Sequence, residues 1–196
     1  MNENRLDIKI ISEFIKPASR VLDLGCGEGD LLASLIAEKK VLGQGIEIDP
    51  MAVRKCIEKG LNVTQENIEN GLSWYPDNSF DYVILNQSMQ QVLHVDKLLQ
   101  EAFRVGKYVI VGFPNFAQLR SRLDIFFFGR TPITKSLPYQ WFDTPNVHFL
   151  TIKDFKVFCA RKGFRILAAR YIGEKGEIKF WPNLFAVDGV FLVAKE

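Results

Sequence analysis

The chain has 196 residues (22.4 kDa), with 47% hydrophobic and 24% charged residues, ordinary globular values that exclude a disordered, collagenous or disulfide-scaffold protein and suit one compact domain with an elaboration. Lys plus Arg number 25 and Asp plus Glu 23, a net charge of +2, which excludes any general electrostatic drive toward nucleic acid or anionic lipid. Cys26, Cys56 and Cys159 are far apart and in no CxxC pattern, so neither a zinc site nor a disulfide framework is expected, and a reducing cytoplasm fits best.

The N-terminal stretch MNENRLDIKIISEFI mixes charges through its apolar positions and lacks the continuous apolar core of a signal peptide. Nowhere do about 18 apolar residues run together, so no membrane span is expected. Alternating apolar runs and amphipathic segments then follow, the pattern of βαβ units. Strands are expected at 20–24, 41–48, 61–64, 80–86 and 107–113, and helices at 29–39, 50–59 and 95–105. In the last helix Val95, Leu98, Leu99, Ala102, Phe103 and Val105 form a stripe that would lie on the sheet. Pro50 suits a first helical turn and Gly60 a C-terminal cap.

Beyond this point the texture changes: 13 of the 16 phenylalanines fall at or after residue 113. Residues 114–145 hold Pro114, Pro132, Pro138 and Pro145 around one expected helix at 116–128, more like a folded lid than another strand unit. A last helix at 152–162 ends at Gly163, and the runs 164–172 and 186–194, joined without a crossover helix, should pair antiparallel on the sheet edge. The expected class is α/β: a mostly parallel sheet with an antiparallel edge strand and a lid-like insertion after the fifth strand.

Val21-Leu22-Asp23-Leu24-Gly25-Cys26-Gly27-Glu28-Gly29 places three glycines where a buried strand turns into a helix. Without Cβ atoms the turn can be tight and a ligand can approach the backbone, while the helix beyond offers unpaired N–H groups. Glu47, 22 residues after Gly25 near the end of the next strand, is placed to bridge two ribose hydroxyls. The pattern is G-x-G-x-G, with Glu28 on the approach to the helix. A pyrophosphate would meet that negative charge, whereas Asp23 and Glu28 would attract the cationic aminoacyl end of S-adenosylmethionine. Cys26 reads as a packing residue in the turn, and Asp49, before Pro50, as a helix cap.

VLDLGCGEG, GIEID and PDNSFDYVILNQ resemble the class I S-adenosylmethionine-dependent methyltransferases. More specifically, NGLSWYPDNSFDYVILNQSMQQV, RVGKYVIVGFPNF and RTPITKSLPYQWFDTPNVHFLTIKDF are similar to the methionine-biosynthesis MetW family. The resemblance implies a single Rossmann-like, methyltransferase-like domain over 1–196, with 114–150 as a lid or partner-docking insertion. Where such methyltransferases often carry an aspartate for the adenine amino group, this chain has Gln65-Glu66-Asn67, and Asn67 can still accept one hydrogen bond. The turn before the fifth strand is shortened to Val105-Gly106-Lys107. Asp23, Gly25, Gly27, Glu47, Asn67 and Asn86 form the expected binding set for S-adenosylmethionine or S-adenosylhomocysteine.

No catalytic residue or metal ligand can be assigned. Asn86, Gln87, Ser88 and Gln90 at the fourth strand's end are uncharged, and no Asn-Pro-Pro-Tyr run is present. His94 reads as a helix-opening residue or a functional one, and His148 as a loop histidine bonded to a backbone carbonyl. Between 114 and 142, Arg120, Arg122, Arg130 and Lys135 stand against Asp124 alone, interleaved with Phe116, Phe126, Phe127, Phe128, Tyr139, Trp141 and Phe142. That patch is either a lid packed inward or a protein-docking surface. The family resemblance implies an accessory role beside a homoserine O-acyltransferase of the α/β-hydrolase type. The alternative is a small-molecule methyltransferase whose acceptor lies under 114–145. Neither nucleic acid nor membrane is an expected partner.

Overall fold

The structure, a computed structural model, describes residues 5–70 and 72–195. Residues 1–4, part of the stretch read for a targeting signal, and Gly71, within one of the family motifs, lie outside them.

The chain runs α1 (Leu6–Phe14), β1 (Arg20–Leu24), α2 (Asp30–Lys39), β2 (Leu42–Glu47), α3 (Pro50–Glu58), β3 (Val63–Gln65), β4 (Phe80–Asn86), α4 (Val95–Val105), β5 (Gly106–Pro114), α5 (Leu119–Phe128), α6 (Ile152–Lys162), β6 (Phe164–Gly173), β7 (Gly176–Glu177), α7 (Pro182–Phe185) and β8 (Asp188–Lys195). The expected elements are present with ends shifted by up to three residues. β3 is only three residues long, since its exposed position offers little burial. Sequence reasoning assigned no helix to α1, although Leu6, Ile10, Ile11 and Phe14 have helical spacing and Ile10 and Ile11 are fully buried.

One sheet carries the order β3-β2-β1-β4-β5-β8-β6-β7. The four pairings among β1–β5 are all parallel, and β8 runs antiparallel to both β5 and β6. The antiparallel margin therefore forms, with β8 slotted inside β6 and the two-residue β7 outermost. Phe191 on β8 explains the slot: its ring stacks on Phe113 of β5 at 5.5 Å and meets Phe155 of α6 at 4.8 Å.

Side chains alternate between the two faces of each strand. Leu22, Leu24, Val83, Leu85, Val109 and Val111 pack with α4 and α6, while Val21, Ile84 and Ile110 pack with α1 and α2. The stripe read on α4 lies on the first face, with Leu98, Leu99, Ala102, Phe103 and Val105 buried. Its Arg104 donates to Tyr75 O and Leu72 O at 2.8 Å, pinning the loop before β4.

The insertion after β5 is closed at its base. Phe116 N–H donates to Leu150 O at 3.0 Å, and the buried Asn115 donates to Ala186 O at 2.8 Å while accepting from Ile152 N–H at 3.3 Å. A capping box of Thr151 and Asp154 starts α6 immediately beyond. Beyond this neck α5 leads into a loop that returns to the body where Ser136 meets Asp188 and where Val147 and His148 N–H donate to Gln90 O.

Candidate functional site

Strand order reverses between β1 and β4, since β2 and β3 lie to one side of β1 and β4 and β5 to the other. Open α/β sheets form a crevice at the strand C-termini at such a point. Here a cleft of about 600 Å³ opens there, and Asp23, Gly25, Gly27, Glu47, Asn67 and Asn86 all line it.

The glycine turn explains its own composition. Gly25, Gly27 and Gly29 have φ of +77°, +55° and +79°, left-handed values that cost a residue with a Cβ about 1–2 kcal/mol. A Cβ at Gly27 would meet nothing within 4 Å, so that face of the turn is open. Cys26 packs over β2, where a Cβ at Gly45 would stand 2.6 Å from its Sγ. Burial pushes its thiol pKa up, consistent with the packing role read from sequence.

Glu47 is nearly buried, and three backbone groups hold its carboxylate. Gly27 N–H donates to Oε2 at 2.8 Å, and Ile48 and Asp49 N–H donate to Oε1 at 2.8 and 2.9 Å. The acidic side chain thus ties β2 to the glycine turn, and Oε2, with one donor, keeps acceptor capacity toward the cleft. Asp23 is buried beside it, and burial first, then the field of Glu47, raises its carboxyl from 3.8 to about 7. Asn67 Oδ1 accepts Glu69 N–H at 2.9 Å, so this amide also shapes its own turn. Asn86 donates from Nδ2 to Asp7 Oδ2 at 2.9 Å and buries Oδ1 unpartnered over Gly112, where a Cβ would stand 2.2 Å from that oxygen.

Several sequence expectations change. Glu28 lines the cleft but is paired with Lys55 of α3, so its charge is offset by a lysine rather than held ready for a cationic ligand. Asp49 keeps its expected role, capping α3 by accepting Met51 N–H at 2.9 Å. Gln87 and Ser88 line the cleft but Gln90 does not. Ser88 donates its hydroxyl to Leu24 O at 2.6 Å, which leaves it structural. His94 opens α4 and does not line the cleft. His148 is exposed, with Nε2 3.4 Å from Leu93 O.

The cleft residues that sequence reasoning did not assign are Arg5, Glu66 and Glu69 among others. Arg5 precedes α1, and its guanidinium meets Asp7 at 2.6 Å; the amphipathic spacing of residues 6–14 was the available signal. Beside the cleft wall, Gln87, at φ +61°, donates to Asp188 Oδ1, and Ser136 of the insertion donates to Asp188 Oδ2, each at 3.2 Å. Burial raises the Asp188 carboxyl to about 6.

None of the residues 114–150 lines this cleft. Phe126, Phe127 and Trp141 are 80%, 66% and 74% exposed, and Phe128, Tyr139 and Phe142 are exposed as well. Beside them Phe180, Trp181 and Phe185 form an exposed stack, with ring centroids 5.1 and 6.5 Å apart. Arg122 of α5 reaches Asn183 O of this second patch at 3.4 Å. No described helix is long and apolar enough to cross a membrane, and no three metal-ligating side chains gather among the described residues.

The chain is similar to a bifunctional methionine biosynthesis protein MetXA/MetW of Rhodopirellula baltica, 36% identical over 160 residues. These cover 77% of this chain but only 26% of that relative, so the match spans about a quarter of the relative's length. A demethylmenaquinone methyltransferase of Bacillus mycoides is 26% identical over 193 residues, covering 84% of this chain and 81% of the relative. Among solved structures, a SAM-dependent methyltransferase from Archaeoglobus fulgidus superposes with a TM-score of 0.73 at 19% identity, covering 97% of this chain and 92% of the other. That likeness establishes the methyltransferase-type Rossmann fold. The family model described as "Methionine biosynthesis protein MetW" matches residues 5–193, and on that match over nearly its whole length the chain belongs to the MetW family.

Proposed function

We propose that the protein is an accessory subunit of methionine biosynthesis that binds a homoserine O-acyltransferase of the α/β-hydrolase type, with a cleft for S-adenosylmethionine or S-adenosylhomocysteine. The observation that carries this reading is the contrast between a well-formed cleft and a large apolar surface outside it. The fused relative, whose name joins MetXA to MetW in one chain, supports the choice of partner.

The cleft's chemistry fits the ligand. Glu47 Oε2 can accept a ribose hydroxyl, the open face of Gly27 admits the nucleoside against the backbone, and Asp23 suits an ammonium group. Glu66 and Asn67 supply acceptors at the opposite end, past β3. When bound, S-adenosylmethionine supplies an electrophilic methyl group. At the end of β4, however, the cleft presents the amides Asn86 and Gln87 and an internally bonded Ser88. None of these is a proton acceptor suited to activating a nucleophile, which favours an accessory role.

Residues 114–150 are the docking segment in this reading. Aromatic rings and arginines are enriched among protein-interface anchors, and an exposed contiguous apolar patch such as Phe126, Phe127 and Phe128 marks an interaction site. The test is co-purification and acylation assays with the acyltransferase of the same organism, with and without this chain. Stimulated homoserine acylation and a stable complex are expected. A clean separation of the two proteins and unchanged acylation would overturn the reading.

One observation favours the alternative, a small-molecule methyltransferase. Asp188, with its carboxyl raised to about 6, accepts a hydrogen bond from Gln87, which lines the cleft. Methyl transfer to small-molecule acceptors that is lost in Asp188→Asn would establish that activity.

A further inference from the structure

Among the charged residues lining the cleft, Asp23, Glu28, Asp30, Glu47, Glu66 and Glu69 are acidic, and Arg5 is the sole cation among the described lining residues. Two of the acids are engaged by α3 and the turn after it, Glu28 by Lys55 and Asp30 by Lys59. A carboxylate-bearing ligand entering this cleft therefore finds one guanidinium and otherwise repulsion.

That guanidinium is oriented. Arg5 donates from Nε to Asp7 Oδ1 at 3.2 Å and from Nη2 to Asp7 Oδ2 at 2.6 Å. Asp7 is in turn fixed by Asn86 Nδ2 at 2.9 Å, on the strand that forms the cleft wall. A side-on pair of this kind uses one edge of the planar fork and leaves the Nη1 donors out of it. Arg5 also lies within the electrostatic reach of Asp23 and Asp30, so a cationic and an anionic group of the protein face the same end of the cleft.

We propose that Arg5 is the specificity-determining residue for the carboxylate of an α-amino-acid tail whose ammonium group is taken by Asp23. This rests on reading the cleft as a site for an S-adenosyl amino acid. The zwitterionic end of such a ligand presents both charges on one carbon, which matches the Arg5 and Asp23 pair. Asp7 acts as a positioning residue, holding the guanidinium at the cleft, and is itself held by Asn86, which also lines the cleft. The N-terminal helix, which contributes no strand and no glycine motif, thereby completes the site.

The experiment is titration calorimetry with S-adenosylhomocysteine, its decarboxylated analogue and 5′-methylthioadenosine, on the wild type and on Arg5→Met and Arg5→Lys. Removing the carboxylate from the ligand should weaken wild-type binding roughly 10- to 100-fold, the range for a charge-assisted pair. Arg5→Met should lose the same factor for S-adenosylhomocysteine and bind the other two ligands as the wild type does, so that the two changes do not add. Arg5→Lys should recover part of the difference, because it keeps the charge and loses the fork. Methylthioadenosine binding also reports whether the variant's cleft is intact. Discrimination retained in Arg5→Met, or equal weakening for all three ligands, would overturn the Arg5 assignment alone. If the wild type binds none of the three at millimolar concentration, the cleft reading falls and this inference with it.

Discussion

Phe113 and Phe127 are chemically identical, lie fourteen positions apart, and have opposite fates. Phe113 sits on β5 in the middle of the sheet, is fully buried, and packs against Phe155 and Phe191. Phe127 sits on α5 beyond the closed neck of the insertion and is 66% exposed. In the half of the molecule built from β1–β5 most strand side chains that are apolar lie in the two core clusters, whereas Leu42 of β2 is exposed. The insertion keeps Phe126, Phe127, Phe128, Trp141 and Phe142 on the surface, an apolar patch of the kind that marks interaction sites.

The largest effect tests the exposed side of that contrast. Replacing Phe127, Arg130 and Tyr139 together by Ala should abolish stimulation of the acyltransferase, because interface anchors contribute about 2 kcal/mol or more each. Melting should stay close to wild type. A steep fall in melting temperature would show that these rings are core after all, and full stimulation by a folded variant would remove the insertion as the docking segment. On the buried side, Phe113→Ala should cost about 3–5 kcal/mol of folding stability, read by denaturant unfolding, whereas Phe127→Ala alone should stay within about 0.5 kcal/mol.

Glu47→Ala should be next. The three N–H groups that share its carboxylate lose their acceptor, so the glycine turn loosens along with any ligand contact. We expect a loss of about 1.5–3 kcal/mol in S-adenosylhomocysteine binding, measured by calorimetry, with a smaller loss for Glu47→Gln. Unchanged affinity in Glu47→Ala would remove the ribose assignment.

The smallest effect is a pH dependence. Asp23 titrates near 7 in the folded protein against 3.8 for an unperturbed carboxyl, so the folded state holds this proton more tightly than the unfolded one. Its contribution to stability is complete below about pH 3.8, declines as pH rises toward 7, and is level above that. Asp23→Asn should flatten the stability profile between pH 5 and 7. An ammonium ligand favours the ionised carboxylate, so binding at pH 6 should release a proton, visible as a buffer-dependent heat. Buffer-independent heat would place the ammonium elsewhere.

Local chemistry made much of this legible from sequence. Runs such as Val-Ile-Leu-Asn and Val-Ile-Val-Gly-Phe are buried on both faces of a central sheet, and glycines at 25, 27 and 29 meet a turn that requires positive φ. Those demands act over a few neighbouring residues, so the strands and the turn could be read in order, while the set Asp23, Glu47, Asn67 and Asn86, which lines one cleft, drew also on the family resemblance. Tertiary structure alone decided the rest. Glu28 is neutralised by a lysine 27 positions away, Glu47 is filled by N–H groups of two separate segments, and Arg5 reaches the cleft through Asp7 and an amide 79 positions beyond it. The exposure of Phe127 and burial of Phe113 follow the same rule. Periodicity reports which residues share a face, but whether that face meets protein or water depends on what the rest of the chain brings against it.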